Sequence, residues 1–167
     1  HPMSQGIAVE GMKLVIDNLQ KAYADGTDIT ARANMMSAAA MGATAFQKGL
    51  GAIHALSHPI GAMHHTHHGT TNAVCMPAVL QLNRPEITAR FDQVASYLGI
   101  DGGFDGFCAF VDDFYASLGI PKRMSELGVT NPDLDRLIAG ALKDPSCGGN
   151  PVELNEVNVR ALLEAVL

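Results

Sequence analysis

Apolar residues recur at helical spacing near the start of the chain. Between residues 12 and 23 most apolar residues stand three or four positions apart, which predicts an amphipathic helix that ends at Gly26. A second helix is predicted from Ala31 to Lys48, with Asp28 or Thr30 as its N-cap. This second helix consists largely of Ala and Met, so we expect it to be buried on most of its sides.

Proline and glycine divide the rest of the chain into further helical segments. Because proline disfavours the helical conformation in the residue before it, Pro59 predicts that a short helix carrying His54 ends near His58 and is followed by a loop. Pro77 predicts a kink or an early stop in the next helix. Further helices are predicted from Arg84-Pro85 to Leu98 and over residues 107–118, 132–143 (capped by Asn131) and 151–166.

No segment alternates with the period of a β-strand, and no internal repeat is present. The pattern therefore predicts an all-α fold, a helical bundle of seven or eight helices that forms one domain over residues 1–167. Hydrophobic residues make up 47% of the chain and charged residues only 17%. Such an apolar surplus indicates that a second domain or a partner covers part of the surface.

Charge and cysteine usage exclude several classes of protein. The net charge is -6 and the basic residues are scattered, so the clustered Lys and Arg of a nucleic-acid-binding surface are missing. No apolar stretch is long enough to span a bilayer. Cys75, Cys108 and Cys147 are far apart, which predicts reduced thiols in a cytoplasmic protein, with Cys75 in the core.

The segment IHALSHPIGAMHHTHHGTTNA, residues 53–73, holds six of the seven histidines. Spacing alone nominates His54 and His58, because residues at i and i+4 share one helical face. His68 is a further candidate at the predicted start of the next helix. Both a metal site and metal-free acid–base chemistry fit these imidazoles. The other three are interpreted as solvated loop residues: His64, His65 and His67.

No carboxylate lies near this cluster. The nearest are Asp28 before it and Glu86 after it, although carboxylates are common ligands in catalytic metal sites. No HExxH motif is present, which argues against a zincin-type protease, and KGLGAIH lacks the GxGxxG pattern of a dinucleotide loop. The cluster is therefore either a complete set of imidazoles or half of a site.

Three segments together resemble a known family. HPMSQGIAVEGMKLVIDNL, ARANMMSAAAMGATAFQKGLGAIHALSHPIGAMHHTHHGTTNAVCMPAVL and CGGNP are similar to the iron-containing (group III) alcohol dehydrogenases. The resemblance covers nearly the whole chain and is to the C-terminal helical domain of their dehydroquinate synthase-like fold. It implies that residues 1–167 are the metal-binding helical domain. It also implies that an N-terminal α/β dinucleotide-binding domain and the start of the helical domain precede this segment.

The resemblance also implies roles for the histidines. The family's metal ligands match His54 and His68, whereas His58 matches a residue beside the metal that relays a proton or positions substrate. The i, i+4 pair is then not the ligand pair. The family's other two ligands, in a D-x-x-x-H pattern, belong upstream of HPMSQGIA, and His1 falls outside that pattern.

The activity implied is the interconversion of an alcohol and an aldehyde or ketone by metal-assisted hydride transfer. The cofactors implied are a divalent metal, Fe2+ or else Zn2+, and NAD or NADP. A homodimer is expected for the full-length protein, and we expect the chain alone to bind metal weakly and to be inactive. Two alternatives remain open: a stand-alone helical metal-binding or assembly module, and a helical partner domain with a polar loop.

Overall fold

The computed structural model describes residues 1–167 as seven α-helices with no strand, which confirms the all-α prediction. None of these helices combines the length and apolar character that a bilayer span requires. Short 3-10 turns lie at Phe46–Lys48, Met124–Leu127 and Pro145–Gly149. The helices are α1 (Pro2–Ala24), α2 (Ile29–Ala45), α3 (Ala52–His64), α4 (His68–Leu98), α5 (Gly103–Ser117), α6 (Leu134–Lys143) and α7 (Glu156–Val166).

The chain divides into two compact units. The first unit comprises residues 1–48 and 90–107, and the second comprises residues 49–89 and 108–167. Helices α4 and α5 therefore each contribute residues to both units. That residues 1–167 act as one domain beside a separate dinucleotide-binding domain stays a prediction.

In the first unit α1 packs closely against α2. The side chain of Asp28 accepts a hydrogen bond from the backbone N–H of Ala31 at 2.9 Å, which confirms the predicted N-cap of α2. A Cβ at Gly11 of α1 would lie 3.4 Å from Cβ of Met41, an ordinary van der Waals contact, so the two helices lie close together there. The buried Asn18 accepts from Nδ2 of Asn34 at 3.0 Å and joins them further.

Helix α2 is largely exposed, so the prediction that it is buried on most sides is wrong. Only Ala31 and Ala38 are buried, whereas Ile29 and Met36 expose 74% and 75% of their surfaces. Ala38 lies against Gly11 of α1. A run of Ala and Met shows that a helix lacks charged side chains. It does not show which sides of that helix pack against another element.

The helix end predicted at Pro59, the early stop considered at Pro77 and the new helix predicted from Arg84-Pro85 are also wrong. Helix α3 continues through Pro59 to His64, and α4 is one helix of 31 residues that contains Pro77 and Pro85. Proline removes one backbone donor from a helix, but packing can outweigh that loss. At Pro59 the neighbour is Gly140 of α6, where an added Cβ would come within 2.8 Å of Cβ of Pro59.

Helix α1 begins at Pro2, and the predicted starts of three other helices need correction. Helix α6 begins at Leu134, because Asp133 accepts from the N–H of Arg136 at 3.1 Å, and Asn131 instead adopts a left-handed conformation before the helix. Side-chain capping thus places these starts more accurately than proline does. Helix α7 begins at Glu156 behind the cap Asn155, and α5 begins at Gly103.

The second unit has a continuous apolar core. Leu56 and Ile60 of α3 belong to the same buried cluster as Leu137 of α6 and Leu163 of α7, and all four have no exposed surface. Burying each such side chain stabilises the fold by roughly 1.5–3 kcal/mol. This core fixes the position of α3, which carries two of the candidate histidines.

Candidate metal centre

Helix α3 presents two histidines on one side, and its other side packs into the apolar core. His54 is half-buried and His58 is exposed, whereas Leu56, Ser57 and Ile60 are buried. Two sides of one short helix thus have different environments. The core holds the backbone, and the imidazoles remain accessible for chemistry.

A three-residue loop at 65–67 brings α4 back to α3. His65 ends α3 in the left-handed conformation, with φ of 56°, and its N–H donates to the carbonyl of Gly61 at 2.8 Å. The buried hydroxyl of Thr71 lies 2.7 Å from Oγ1 of Thr66 and donates to the carbonyl of His67 at 2.9 Å. The predicted nine-residue loop is thus shorter, because α3 extends six residues beyond His58.

The loop brings the three candidate histidines together in a triangle. The ring centroids of His54 and His58 are 5.5 Å apart, and that of His68 lies 5.3 Å from His54 and 5.5 Å from His58. The ring planes of His58 and His68 are nearly parallel, at 16°. All three residues are candidates from their spacing in the sequence, and the fold brings them to one place.

Asn72 lies between two of these imidazoles. Its Nδ2 atom is 3.3 Å from Nε2 of His54 and 3.1 Å from Nε2 of His68. The two Nε2 atoms therefore face one point. Sequence reasoning missed Asn72, although its position four residues after His68 places both on one helical face.

The donor set fits part of a metal shell. Neutral imidazole nitrogens are common ligands of iron and zinc, and two of them converge here. The chain holds no group of three or more His, Cys, Asp and Glu side chains arranged to bind a metal ion. His54 and His68 could therefore supply two ligands of a metal shell, with the remaining ligands coming from residues other than these two.

His58 has a different partner from the other two histidines. Its Nδ1 lies 2.7 Å from Oδ2 of Asp144, whose Oδ1 accepts from the backbone N–H of Ser146 at 2.8 Å. The carboxylate orients the ring, which leaves Nε2 of His58 free of this bond. Asp144 escaped sequence reasoning because 86 residues separate it from His58. The available signal was its place just before the quoted CGGNP segment.

The local electrostatics favour neutral imidazole at His54. Burial lowers the pKa of His54, and the neighbouring His68 and His58 lower that pKa further. Burial acts to raise the pKa of Asp144. Hydrogen bonds from Ser146 and His58 outweigh that effect and leave the pKa of Asp144 below its ordinary value. A neutral imidazole at His54 is the form that can bind a cation. An ionised carboxylate at Asp144 is the form that can hold a protonated imidazole.

The remaining three histidines lie at the junction of α3 and α4. His65 ends α3, and Nδ1 of His67 accepts from the N–H of Thr70 at 3.3 Å at the start of α4. His64 lies in the last turn of α3 and not in a loop, and its buried Nε2 has no hydrogen-bond partner. Two of these three thus have local structural roles.

Comparison with known proteins gives the chain a family. The profile of the Fe-containing alcohol dehydrogenase family, C-terminal part, matches residues 1–167. The 4-hydroxybutyrate dehydrogenase of Cupriavidus necator is 40% identical over 173 aligned residues, which cover 98% of this chain and 45% of that protein. The NAD-dependent methanol dehydrogenase of Bacillus methanolicus is 34% identical over 158 residues, which cover 90% of this chain and 42% of that protein.

A solved structure agrees with these matches. The crystal structure of a 1,3-propanediol oxidoreductase superposes with a TM-score of 0.92 at 29% identity, covering 98% of this chain and 45% of that one. The chain spans about half the length of the curated relatives it matches. Its helical fold is thus that of the family's C-terminal region. This chain belongs to the Fe-containing alcohol dehydrogenase family.

Proposed function

We propose that this chain is the metal-binding part of an NAD(P)-dependent dehydrogenase that interconverts an alcohol and an aldehyde or ketone. The observation that carries the proposal is the convergence of two Nε2 atoms, of His54 and His68, on one point beside His58. The relatives described above are named for methanol, 4-hydroxybutyrate and 1,3-propanediol. Each of these molecules has a primary hydroxyl group, so the substrate class we propose is a small primary alcohol.

His54 and His68 are the proposed metal ligands, through Nε2. Two imidazoles fill fewer positions than a four-coordinate or larger shell needs. In this proposal the remaining ligands and the dinucleotide site belong to an N-terminal α/β domain of the full-length protein. The metal is Fe2+, with Zn2+ as the alternative, because imidazole suits both ions.

When bound, the metal supplies Lewis-acid polarisation of the substrate oxygen. A dinucleotide bound by the full-length protein would supply the hydride acceptor for alcohol oxidation, and the proton released with the hydride would need an acceptor on this chain. His58 is suited to that task, because Asp144 holds its Nδ1 and leaves Nε2 to exchange the proton. The carboxylate also stabilises the imidazolium that results, so Asp144 is a positioning residue in this scheme.

The test measures metal content and activity in the full-length protein. His54→Ala and His68→Ala are each expected to lose most of the bound metal, measured by plasma mass spectrometry, because each removes one ligand. His58→Gln is expected to keep the metal and lose about 100-fold or more of kcat with a primary alcohol. His65→Asn is the matched control and is expected to keep both, because it lies in the loop and Asn tolerates the left-handed conformation.

Two results would contradict the proposal. One is full metal content in both His54→Ala and His68→Ala. The other is tight zinc binding by residues 1–167 alone that falls on His64→Ala, which would instead support a stand-alone metal-binding module. Calorimetric titration of the chain with zinc distinguishes these cases.

A further inference from the structure

The segment CGGNP near the end of the chain lies against the start of the helix that carries His54. Gly51 precedes α3 and has no side chain to cap it. The backbone N–H of Ala52, at the first position of α3, instead donates to Oδ1 of Asn150 at 3.1 Å. An asparagine 98 positions away in the chain thus satisfies a backbone donor that a local N-cap usually satisfies.

Asn150 also joins this helix start to α4. Its Nδ2 donates to Oδ1 of Asn83 at 2.7 Å, and Nδ2 of Asn83 donates back to Oδ1 of Asn150 at 2.9 Å. Asn83 lies on α4 and exposes only 6% of its surface, so water competes little for this pair of hydrogen bonds. Nδ2 of Asn150 donates further to the carbonyl of Val152 at 2.8 Å, so both polar atoms of this amide have partners.

The two helices joined in this way each carry one proposed metal ligand. His54 lies two residues after Ala52, in the first turn of α3, and His68 begins α4. The loop at 65–67 joins the two helices at the other end of α3, far from this first turn. The place of His54 relative to α4 therefore depends on the hydrogen bonds of Asn150 as well as on the apolar core.

We propose that Asn150 is a positioning residue of the candidate metal centre. It holds the first turn of α3 against α4, so that His54 and His68 keep their ring centroids 5.3 Å apart. It forms its hydrogen bond to α3 through the backbone and leaves the ring nitrogens of both histidines to other partners. The proposal rests on the ligand roles proposed above for these two histidines.

The turn at residues 145–149 supports this role, because it holds α3 at two places. Asp144 precedes the turn and bonds to His58, whereas Asn150 follows the turn and bonds to Ala52. In α2, α6 and α7 the residue directly before the helix supplies the cap. At α3 the cap comes from a distant turn that also contacts the candidate site, so capping and the placement of the site are coupled there.

Hydrogen exchange of the metal-free chain, followed by NMR, tests the structural step. In Asn150→Ala we expect the backbone amides of Ala52 and His54 to exchange about 5-fold faster or more, because a lost cap typically costs about 1 kcal/mol. Asn155→Ala is the matched control, since Asn155 caps α7 in the same unit by accepting from the N–H of Asn158 at 3.0 Å. It is expected to leave the exchange of Ala52 and His54 unchanged.

Zinc titration of the full-length protein gives the second readout. Loss of a group that orients metal ligands weakens metal affinity by about 10-fold to 100-fold, and Asn150→Ala is expected to fall in that range. Asn155→Ala is expected to lower the thermal midpoint similarly and to keep the zinc affinity. Asn83→Ala breaks the link to α4 but keeps the bond to Ala52, so it should weaken zinc binding by less. It decides the question if Asn150→Ala fails to fold.

Three outcomes would overturn the proposal. The first is unchanged exchange at Ala52 and His54 in folded Asn150→Ala. The second is a zinc affinity that Asn150→Ala lowers no more than Asn155→Ala does. The third, if Asn150→Ala does not fold, is an unchanged zinc affinity in Asn83→Ala. Full metal content in His54→Ala would instead contradict the ligand role in the proposed function, so the two failures are distinguishable.

Discussion

Cys75 lies on α4 seven residues after His68, close in sequence to the candidate metal centre. Its side chain has no exposed surface and belongs to the apolar core of the second unit, which confirms its predicted place in the core. Burial raises the pKa of the Cys75 thiol to about 12. Since the thiolate is the reactive form, this cysteine is chemically inert in the folded chain.

Alkylation of the native chain at pH 8 tests this conclusion. We expect iodoacetamide to modify Cys147, which is half-buried, well before Cys75, which should react only after guanidinium unfolds the chain. Peptide mass spectrometry with and without denaturant measures the difference. Equal labelling rates for the two thiols under native conditions would show that the core around Cys75 opens readily.

At the candidate site, short-range spacing and family resemblance together identify His54, His58 and His68. Their partners Asp144 and Asn72 were beyond reach for different reasons. Asp144 meets His58 only through a long-range contact, which spacing along a chain does not encode. Asn72 is close in sequence, but one asparagine on a helix face has many ordinary explanations. The ligand and proton-relay roles stay predictions until metal content and activity are measured.

At the scale of elements, the turn at residues 145–149 and the start of α3 fit together tightly. Asp144 precedes this turn, and Asn150 follows it and accepts from the N–H of Ala52. A Cβ at Gly149 would lie 1.9 Å from the carbonyl oxygen of Leu50, which no side chain can accommodate without movement. The turn therefore depends on glycine at this position.

Gly149→Ala is expected to lower the free energy of unfolding by about 1–3 kcal/mol, because the new methyl group forces the turn away from Leu50. The neighbouring Gly148 is a matched control, since nothing lies within 4 Å of a Cβ there. Gly148→Ala should change stability by less than about 0.5 kcal/mol. Urea denaturation followed by circular dichroism measures both, and equal effects would contradict the expected contact.

Sequence patterns predict the number of helices well but their ends less well. The N-cap of α2 was predicted as Asp28 or Thr30 and is Asp28, a prediction that depends on a hydrogen bond within three residues. The end assigned from Pro59 was wrong, and the early stop considered at Pro77 does not occur, because both helices continue through proline. Local rules are reliable where the deciding contact is local, and Pro59 packs against a residue 81 positions later in the chain.

At the scale of the whole molecule, apolar surface is exposed unevenly. No charged side chain lies between Arg32 of α2 and Lys48 of the following 3-10 turn, and Met36 and Phe46 are exposed in this stretch. The second unit instead encloses a continuous apolar core. Hydrophobic composition alone predicted burial of α2 on most sides, but only the fold shows which of its sides pack against another helix.

Met36→Lys is expected to reduce the binding of the fluorescent dye ANS by the chain, because it places a charge within this uncharged exposed stretch. Val157→Lys is the matched control: Val157 is 80% exposed on α7, beside the charged Glu156. It should leave ANS fluorescence nearly unchanged. A similar drop in both variants would mean that α2 is not the main site of dye binding.

The uncharged stretch of α2 also bears on how the chain behaves in concentrated solution. Salts such as ammonium sulfate are excluded from protein surfaces and strengthen the association of apolar areas. The net charge of -6 provides electrostatic repulsion between copies of the chain, but the uncharged stretch of α2 contributes none of it. Residues 1–167 should therefore precipitate at low concentrations of ammonium sulfate and be retained strongly on a hydrophobic column. Added charge on α2 should be the most direct way to keep the chain dispersed.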